Sequence, residues 1–439
     1  MDYPSEDTYK ELHVQPVAYS YKEVVQDQSS GLQVVEVEPL NPLQEDGSEK
    51  KELATDEAPR WWRKKRWIVL GLLLIVAVIV AAVLAAHFTR QQKEPSAPTS
   101  ENHSAPSRPT TSARPSGIAE LSSLAATVWP IDGSSGDFMI QVIYQNEDNL
   151  LQLSTSDSRT GSWTKVANLT RAKAGSPLAV TGFNRITPDG AKDVQVELFY
   201  IDEQDKVKEW NWSLNSPDGK GSAGSINEHN FRAHPSSSLS AYWPLIALQD
   251  PSLNLEEIRF GGSDGWTGTP TAFAIAENGP MSVVSAAEEV ADMVIFVQAD
   301  NKTMMEYSTN LTSDLYTTSN AELDKEIPAN TSIAAFTLPN SQNSGVLDTY
   351  LLSQNDEGKV VFHWRDEKAE RKSRSDYKAF QGADKGTSMT CLTMYNSAGA
   401  PVDVKQVPRC YFTAGGFIKE VEFDAGAGDW KMLGDVPLQ

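Results

Sequence analysis

Two cysteines in 439 residues are too few for a disulfide-stapled scaffold or a cysteine-ligated zinc module. The six histidines are scattered without metal-ligand spacing, so the sequence asks for no metal. It asks for no cofactor either, because neither the phosphate-cradling loop nor the dinucleotide glycine fingerprint occurs. Basic residues are scarce as well: 38 Lys and Arg stand against 59 Asp and Glu, a net charge of −21. Nucleic-acid binding needs a basic footprint, and this composition excludes it. Helical periodicity is also missing. After residue 118 no amphipathic pattern lasts three turns, and Ser285–Ala291 comes nearest.

Long apolar runs are absent with one exception. Trp67 to Ala86 reads WIVLGLLLIVAVIVAAVLAA, twenty apolar or small residues in succession. As a helix it spans about 30 Å, the thickness of a bilayer's hydrocarbon core. It lies too far from the N-terminus and runs too long for a cleaved signal peptide. Arg60, Arg63, Lys64, Lys65 and Arg66 stand just before it, whereas only Arg90 and Lys93 follow closely. Positive charge stays cytoplasmic, so a single pass is expected with the N-terminus in the cytosol and the C-terminal domain extracellular or lumenal. The basic cluster at 60–66 is expected to meet anionic headgroups. The N-x-S/T acceptors Asn102, Asn168, Asn211, Asn301, Asn310 and Asn330 all lie after the run, which agrees with this orientation.

Composition divides the remainder. Residues 1–59 hold fourteen acidic side chains against four Lys and few large apolar groups, so a disordered acidic cytosolic tail is expected. Tyr3, Tyr9, Tyr19 and Tyr21 stand there as candidates for modification or binding, beside the simpler reading of a solvated tail. Residues 88–117 are dominated by Pro, Ser and Thr, the composition of an extended stalk. Cys391 and Cys410 both fall on the predicted outer side, where an oxidising compartment permits a disulfide; two buried free thiols are the other reading.

From 118 to 439 aromatic and β-branched residues alternate in short runs cut by Gly, Asp, Asn and Ser, the texture of an all-β domain. One unit recurs six times: an alternating strand, a polar turn, and a second alternating strand. The copies read MIQVIYQNEDNLLQLS, VQVELFYIDEQDKVKEWNW, YWPLIALQDPSLNLEEIRF, DMVIFVQADNKTMMEYS, TYLLSQNDEGKVVFHW and RCYFTAGGFIKEVEF. The residues before the turns, Tyr144, Tyr200, Leu248, Val297, Leu352 and Phe412, are separated by 56, 48, 49, 55 and 60 residues. That interval suits a four-stranded propeller blade, so a six-bladed β-propeller is expected, with tandem sandwiches as the alternative. Gly-Ser-Trp at 161–163, Gly-Trp at 265–266 and Gly-Asp-Trp at 428–430 mark a repeated turn into a further strand.

These hairpins resemble the fungal fucose-binding lectins, six-bladed propellers with sugar pockets between neighbouring blades. The resemblance covers residues of about 135–439 and lies at the level of the repeat. It implies an Arg on the first strand of each hairpin, a Glu on the next and a Trp after a Gly-rich turn. Arg and Glu would hydrogen-bond sugar hydroxyls, with aromatics against the apolar sugar face. Here the Glu position is matched by Glu209, Glu257, Glu306 and Glu420, and is lost to Leu153 and Phe362. The Arg position is matched by Arg409 alone; the other slots read Gln141, Glu197, Leu245, Val294 and Thr349. The Trp position is best matched by Trp266.

The expected function is therefore non-enzymatic carbohydrate binding, fucose among the candidates, with glycans or glycoproteins as partners and most sites degenerate. Arg409 and Glu420 form the expected clamp, which also reads as a plain cross-strand ion pair. The alternative is a lectin-derived propeller serving as a protein-binding or structural ectodomain, and the third reading is a glycosidase. No spacing singles out a catalytic carboxylate pair, and the sialidase-like stretch Ser156–Trp163 has the wrong spacing. Gly261–Gly265 fits G-x-S-x-G, but the run Trp-Thr-Gly-Thr-Pro-Thr at 266–271 cannot start the helix of a nucleophile elbow, so a β-turn is expected.

Overall fold

A computed structural model describes residues 117–131, 136–186, 192–214, 221–262, 265–287, 292–311, 316–328, 330–340, 345–365, 371–394 and 408–438. The expected tail, basic cluster, apolar run and nearly all of the stalk, with Asn102, lie outside the described residues. Among the described residues no helix is long and apolar enough to cross a membrane.

The described strands form six sheets. Blade 1 is β1 (Leu124–Pro130), β2 (Phe138–Gln145), β3 (Leu150–Asp157) and β4 (Ser162–Arg171). Blade 2 is β5 (Leu178–Ile186), β6 (Lys192–Ile201), β7 (Val207–Ser213) and β8 (Ser222–Ala223). Blade 3 is β9 (Leu239–Tyr242), β10 (Leu245–Gln249), β11 (Asn254–Phe260) and β12 (Trp266–Ala274). Blade 4 is β13 (Met281–Ser285), β14 (Asp292–Gln298), β15 (Thr303–Asn310) and β16 (Tyr316–Glu326). Blade 5 is β17 (Ala334–Pro339), β18 (Leu347–Gln354), β19 (Val360–Arg365) and β20 (Arg371–Arg374). Blade 6 is β21 (Met389–Cys391), β23 (Arg409–Ala414), β24 (Phe417–Asp424) and β25 (Asp429–Val436).

The first strand of each blade faces a central space of about 70 Å³. Small side chains at Ala125, Ala179, Ser240 and Ala334 let those strands converge there. The ring closes through β22 (Thr393–Met394), which leaves blade 6 and pairs in parallel with β1 of blade 1. The C-terminus adds a second clasp: Ser154 Oγ donates to the Pro437 carbonyl at 3.0 Å. Cys391 and Cys410 are register partners across β21 and β23, and a disulfide joins them.

Short local signals build each hairpin. An Asn or Asp opens the turn and its side chain accepts the N–H four residues on, as at Asn146, Asp202, Asp250 and Asn355. In four blades a Ser or Thr hydroxyl before the first strand caps a backbone N–H at the end of the second. Ser122, Ser176, Ser237 and Thr387 do this for Gln145, Ile201, Gln249 and Thr413, at 2.8 Å each. Gln145, Gln249, Gln298 and Gln354 then donate to carbonyls of the segment leading to the next blade. These glutamines correct the register of the fifth copy. Gln354 is the counterpart of Gln145, so the residue before the turn is Ser353, not Leu352. The slot opposite Arg409 in the repeat is accordingly Tyr350, not Thr349.

The core is divided among the blade interfaces. Six buried apolar clusters fill the six seams in turn, each taking side chains from two neighbouring sheets. Alternation along every strand sends one face of a sheet into one seam and the opposite face into the next.

Candidate carbohydrate-binding grooves

Register fixes what each seam offers at the position of the proposed clamp. In blade 6, Tyr411 pairs with Glu420 and Arg409 pairs with Glu422 across β23 and β24. In the other blades the positions of Tyr411 and Glu420 are held by the register partners Ile143 and Leu153, Phe199 and Glu209, Ala247 and Glu257, Phe296 and Glu306, and Leu352 and Phe362. The arginine slot, two residues earlier on the first strand of each pair, holds Gln141, Glu197, Leu245, Val294 and Tyr350. Each pair faces the following blade.

The seam between blades 6 and 1 keeps an arginine, a glutamate and a tryptophan together. Arg409 Nη1 donates to Glu420 Oε1 at 3.0 Å, and Arg409 Nε lies 3.5 Å from Glu422 Oε1. Tyr411 OH also donates to Glu420 Oε1, at 3.0 Å. From blade 1, Trp163 Nε1 donates to Glu420 Oε2 at 3.2 Å, and the Phe138 ring lies 5.3 Å from the Arg409 guanidinium. Trp163 stands edge-on to Tyr411 at 6.1 Å. Burial, and then the Glu420 charge, pushes the Tyr411 phenol well above its ordinary range, so it remains a donor. Glu420 is nearly buried, whereas Arg409 and Trp163 are partly open. The groove therefore combines hydrogen-bonding groups with aromatic faces, the chemistry a sugar ring requires.

Trp163 was not among the expected site residues. Its signal was in the sequence: Gly-Ser-Trp stands at the same offset as the turn carrying Trp266. Trp266 occupies the equivalent position between blades 2 and 3, where the arginine slot holds Glu197. There it packs on Phe199, Trp243 and Phe260 and donates from Nε1 to Ser225 Oγ at 2.9 Å.

The other glutamates are committed elsewhere. Glu209 is sealed by its own chain: it accepts the Ile226 N–H at 3.2 Å and the Asn211 amide at 3.1 Å. A Cβ at Gly224 would collide with its carboxylate, so only glycine lets the backbone pass so close. Burial raises the Glu209 carboxyl above its ordinary value. Glu197, in the arginine slot, is raised further, first by burial and then by the Glu209 charge. Glu257 is bound by Arg259, two residues along the same strand, at 2.7 and 3.0 Å. Glu306 receives Arg365 and Arg371 of blade 5, both at 2.7 Å on Oε2.

The two remaining seams have lost the polar pair. Trp212 of blade 2 fills the first by donating to Gln141 Oε1 at 3.2 Å. Tyr350, Phe362 and Trp430 fill the seam between blades 5 and 6 with stacked and edge-on rings. Among the described residues no group of three or more His, Cys, Asp or Glu converges on a metal position. Gly265 leads directly into the strand β12 rather than into a helix, as the sequence implied.

Of the acceptor asparagines, Asn168, Asn301 and Asn330 are exposed. Asn211 and Asn310 are half-buried, and their amides donate to Glu209 and Asp292.

Solved structures share this architecture. A lectin from Aleuria aurantia, described as a six-bladed β-propeller with a novel fucose recognition mode, superimposes with a TM-score of 0.59. The match has 15% identity and covers 74% of this chain and 98% of that one. AofleA from Arthrobotrys oligospora matches with a TM-score of 0.58 and 18% identity, over 73% of this chain and 87% of its own. SapL1 lectin, solved with α-methyl fucoside, matches with a TM-score of 0.55 and 16% identity, over 73% and 97%. The chain has the fold of the fungal fucose lectins. No protein-family model matches it, and neither does any curated relative.

Proposed function

We propose that this chain is a membrane-anchored, non-enzymatic carbohydrate-binding protein whose working site is the groove between blades 6 and 1. The observation that carries the reading is the meeting of Arg409, Glu420 and Trp163 from two blades, with Phe138 against the guanidinium. Arginine and a carboxylate offer directional bonds to vicinal hydroxyls, and the rings offer a face for the C–H side of a sugar. The solved structures named above include lectins that recognise fucose, so fucosylated glycans are the first ligands to try. Trp67–Ala86 is the proposed anchor, and the Pro/Ser/Thr segment after it the stalk that holds the propeller outside the cell or in a lumen.

Binding rather than hydrolysis fits the carboxylates. Glycosidases need two of them flanking a bound sugar. Glu420 is already tied to three donors, and Glu197 and Glu209 are buried, the latter beneath the Gly224–Ile226 segment. A second reading, a lectin-derived propeller that binds protein, draws on the five seams whose clamp positions are filled by the protein's own side chains.

A glycan array probed with the detergent-solubilised full chain decides between them. Binding to a defined glycan class, lost in Arg409→Ala, is the expected result. An array without any bound glycan would leave the protein-binding reading.

A further inference from the structure

The seam between blades 4 and 5 contains a cavity of about 180 Å³ near the β18–β19 turn. Its origin is a single position in the repeat. The residue before the hairpin turn is Tyr144, Tyr200, Leu248, Val297 and Phe412 in five blades, all buried. In blade 5 it is Ser353. Where the other seams insert an aromatic or branched apolar side chain, this one inserts a small serine. The apolar cluster of the seam includes Leu351, two residues earlier, with Val294 and Phe296 of blade 4, so Ser353 faces blade 4.

The cavity is polar on one side. Ser353 Oγ lies 2.8 Å from His363 Nε2, and both side chains are buried. Ser373, opposite His363 in register, and Ser375 also line it. Ile327 and Val361 form an apolar wall. Among the described residues neither Asp nor Glu lines the space, and the one arginine in its lining is turned away. The Arg374 guanidinium sits over the Tyr377 ring at 4.4 Å and pairs with Asp376 at 2.5 Å. The described lining therefore carries no carboxylate and is hydroxyl-rich and half apolar. A cavity of this size and polarity holds water that a ligand hydroxyl can replace. Protein cavities of about 150 Å³ accept a six-membered ring.

We propose that this cavity is a second ligand site, for a neutral polyhydroxylated ring compound of free-hexose size. It is separate from the groove between blades 6 and 1 and uses neither Arg409 nor Glu420. Hydroxyls on the ligand meet Ser353, His363 and Ser373, and its apolar face meets Ile327 and Val361.

The repeat itself supplies the test. Saturation-transfer NMR would be run on the full chain carrying Arg409→Ala, in detergent, with D-galactose, D-glucose, D-mannose and L-fucose in turn. The expected result is saturation of at least one sugar. Adding Ser353→Leu, which restores the blade 3 residue, should weaken that signal at least about tenfold, because the ring is excluded and its hydrogen bonds are lost. Ser353→Val, the blade 4 residue, serves as a smaller filler, and a melting curve establishes that each variant is folded. The proposal is overturned if no sugar is saturated in the Arg409→Ala protein, or if the signal survives in a folded filler variant. Loss of array binding in Arg409→Ala with the NMR signal intact would separate this site from the groove.

Discussion

At the scale of single residues the molecule is governed by where each buried charge finds a partner. Glu420, Glu257 and Glu306 each take an arginine, but from three different places: the neighbouring strand, the same strand, and the next blade. Glu197 has no arginine among the described residues. It accepts one bond from Gln195, and its second oxygen is buried without a partner. Burial and the Glu209 charge push its carboxyl well above the ordinary 4.5. A carboxyl raised in this way favours folding at low pH, and the advantage is lost as pH rises through the raised value. Glu197→Gln keeps the shape without that loss. Its melting temperature should exceed that of the parent at pH 8, and the gap should close as pH falls towards 4.5. Thermal melts across that range check the sign, and a gap that widens on acidification would refute it.

At the scale of elements, the hairpins were legible because two independent periodicities agree. Residues alternate along each strand, and an Asn or Asp opens most of the turns at a fixed offset. The fifth hairpin reads one residue out of register for the same reason: Ser353 interrupts the apolar alternation, so Leu352 looks like the end of the strand. The glutamate slots could be read because they lie on the repeat. Arg259, Arg365 and Arg371 could not, since each reaches its carboxylate from outside the motif. Trp163 was visible only as a turn signal, because no sequence pattern shows that blade 1 closes onto blade 6. The Ser and Thr caps before four of the first strands are the least conspicuous devices in the sequence. Ser237→Ala removes the acceptor for the buried Gln249 N–H. An unpaired buried donor costs about 1–3 kcal/mol, and chemical denaturation should show that loss. A cost near zero would mean that the cap is idle.

At the scale of the whole molecule, closure distinguishes this propeller from an open stack of sheets. β22 against β1 and Pro437 against Ser154 bring the two ends of the ring together, and the same seam holds the arginine, glutamate and tryptophan. Topology can be read separately. If 67–86 spans the bilayer as proposed, glycosidase treatment should shift the protein's mobility through Asn168, Asn301 and Asn330, which are exposed. Protease added to intact cells that display the protein at their surface should then spare the acidic tail, and the opposite protection pattern would invert the topology. The central claim concerns the seam between blades 6 and 1, and calorimetric titration tests it most directly. α-Methyl fucoside, or the best ligand from an array, would be titrated into the wild-type chain and the Arg409→Ala and Trp163→Ala variants. Saturable binding to the wild type that falls at least about tenfold in both folded variants is the predicted result, each having lost a charge-assisted bond or a stacking face. Equal heats from all three proteins would contradict it.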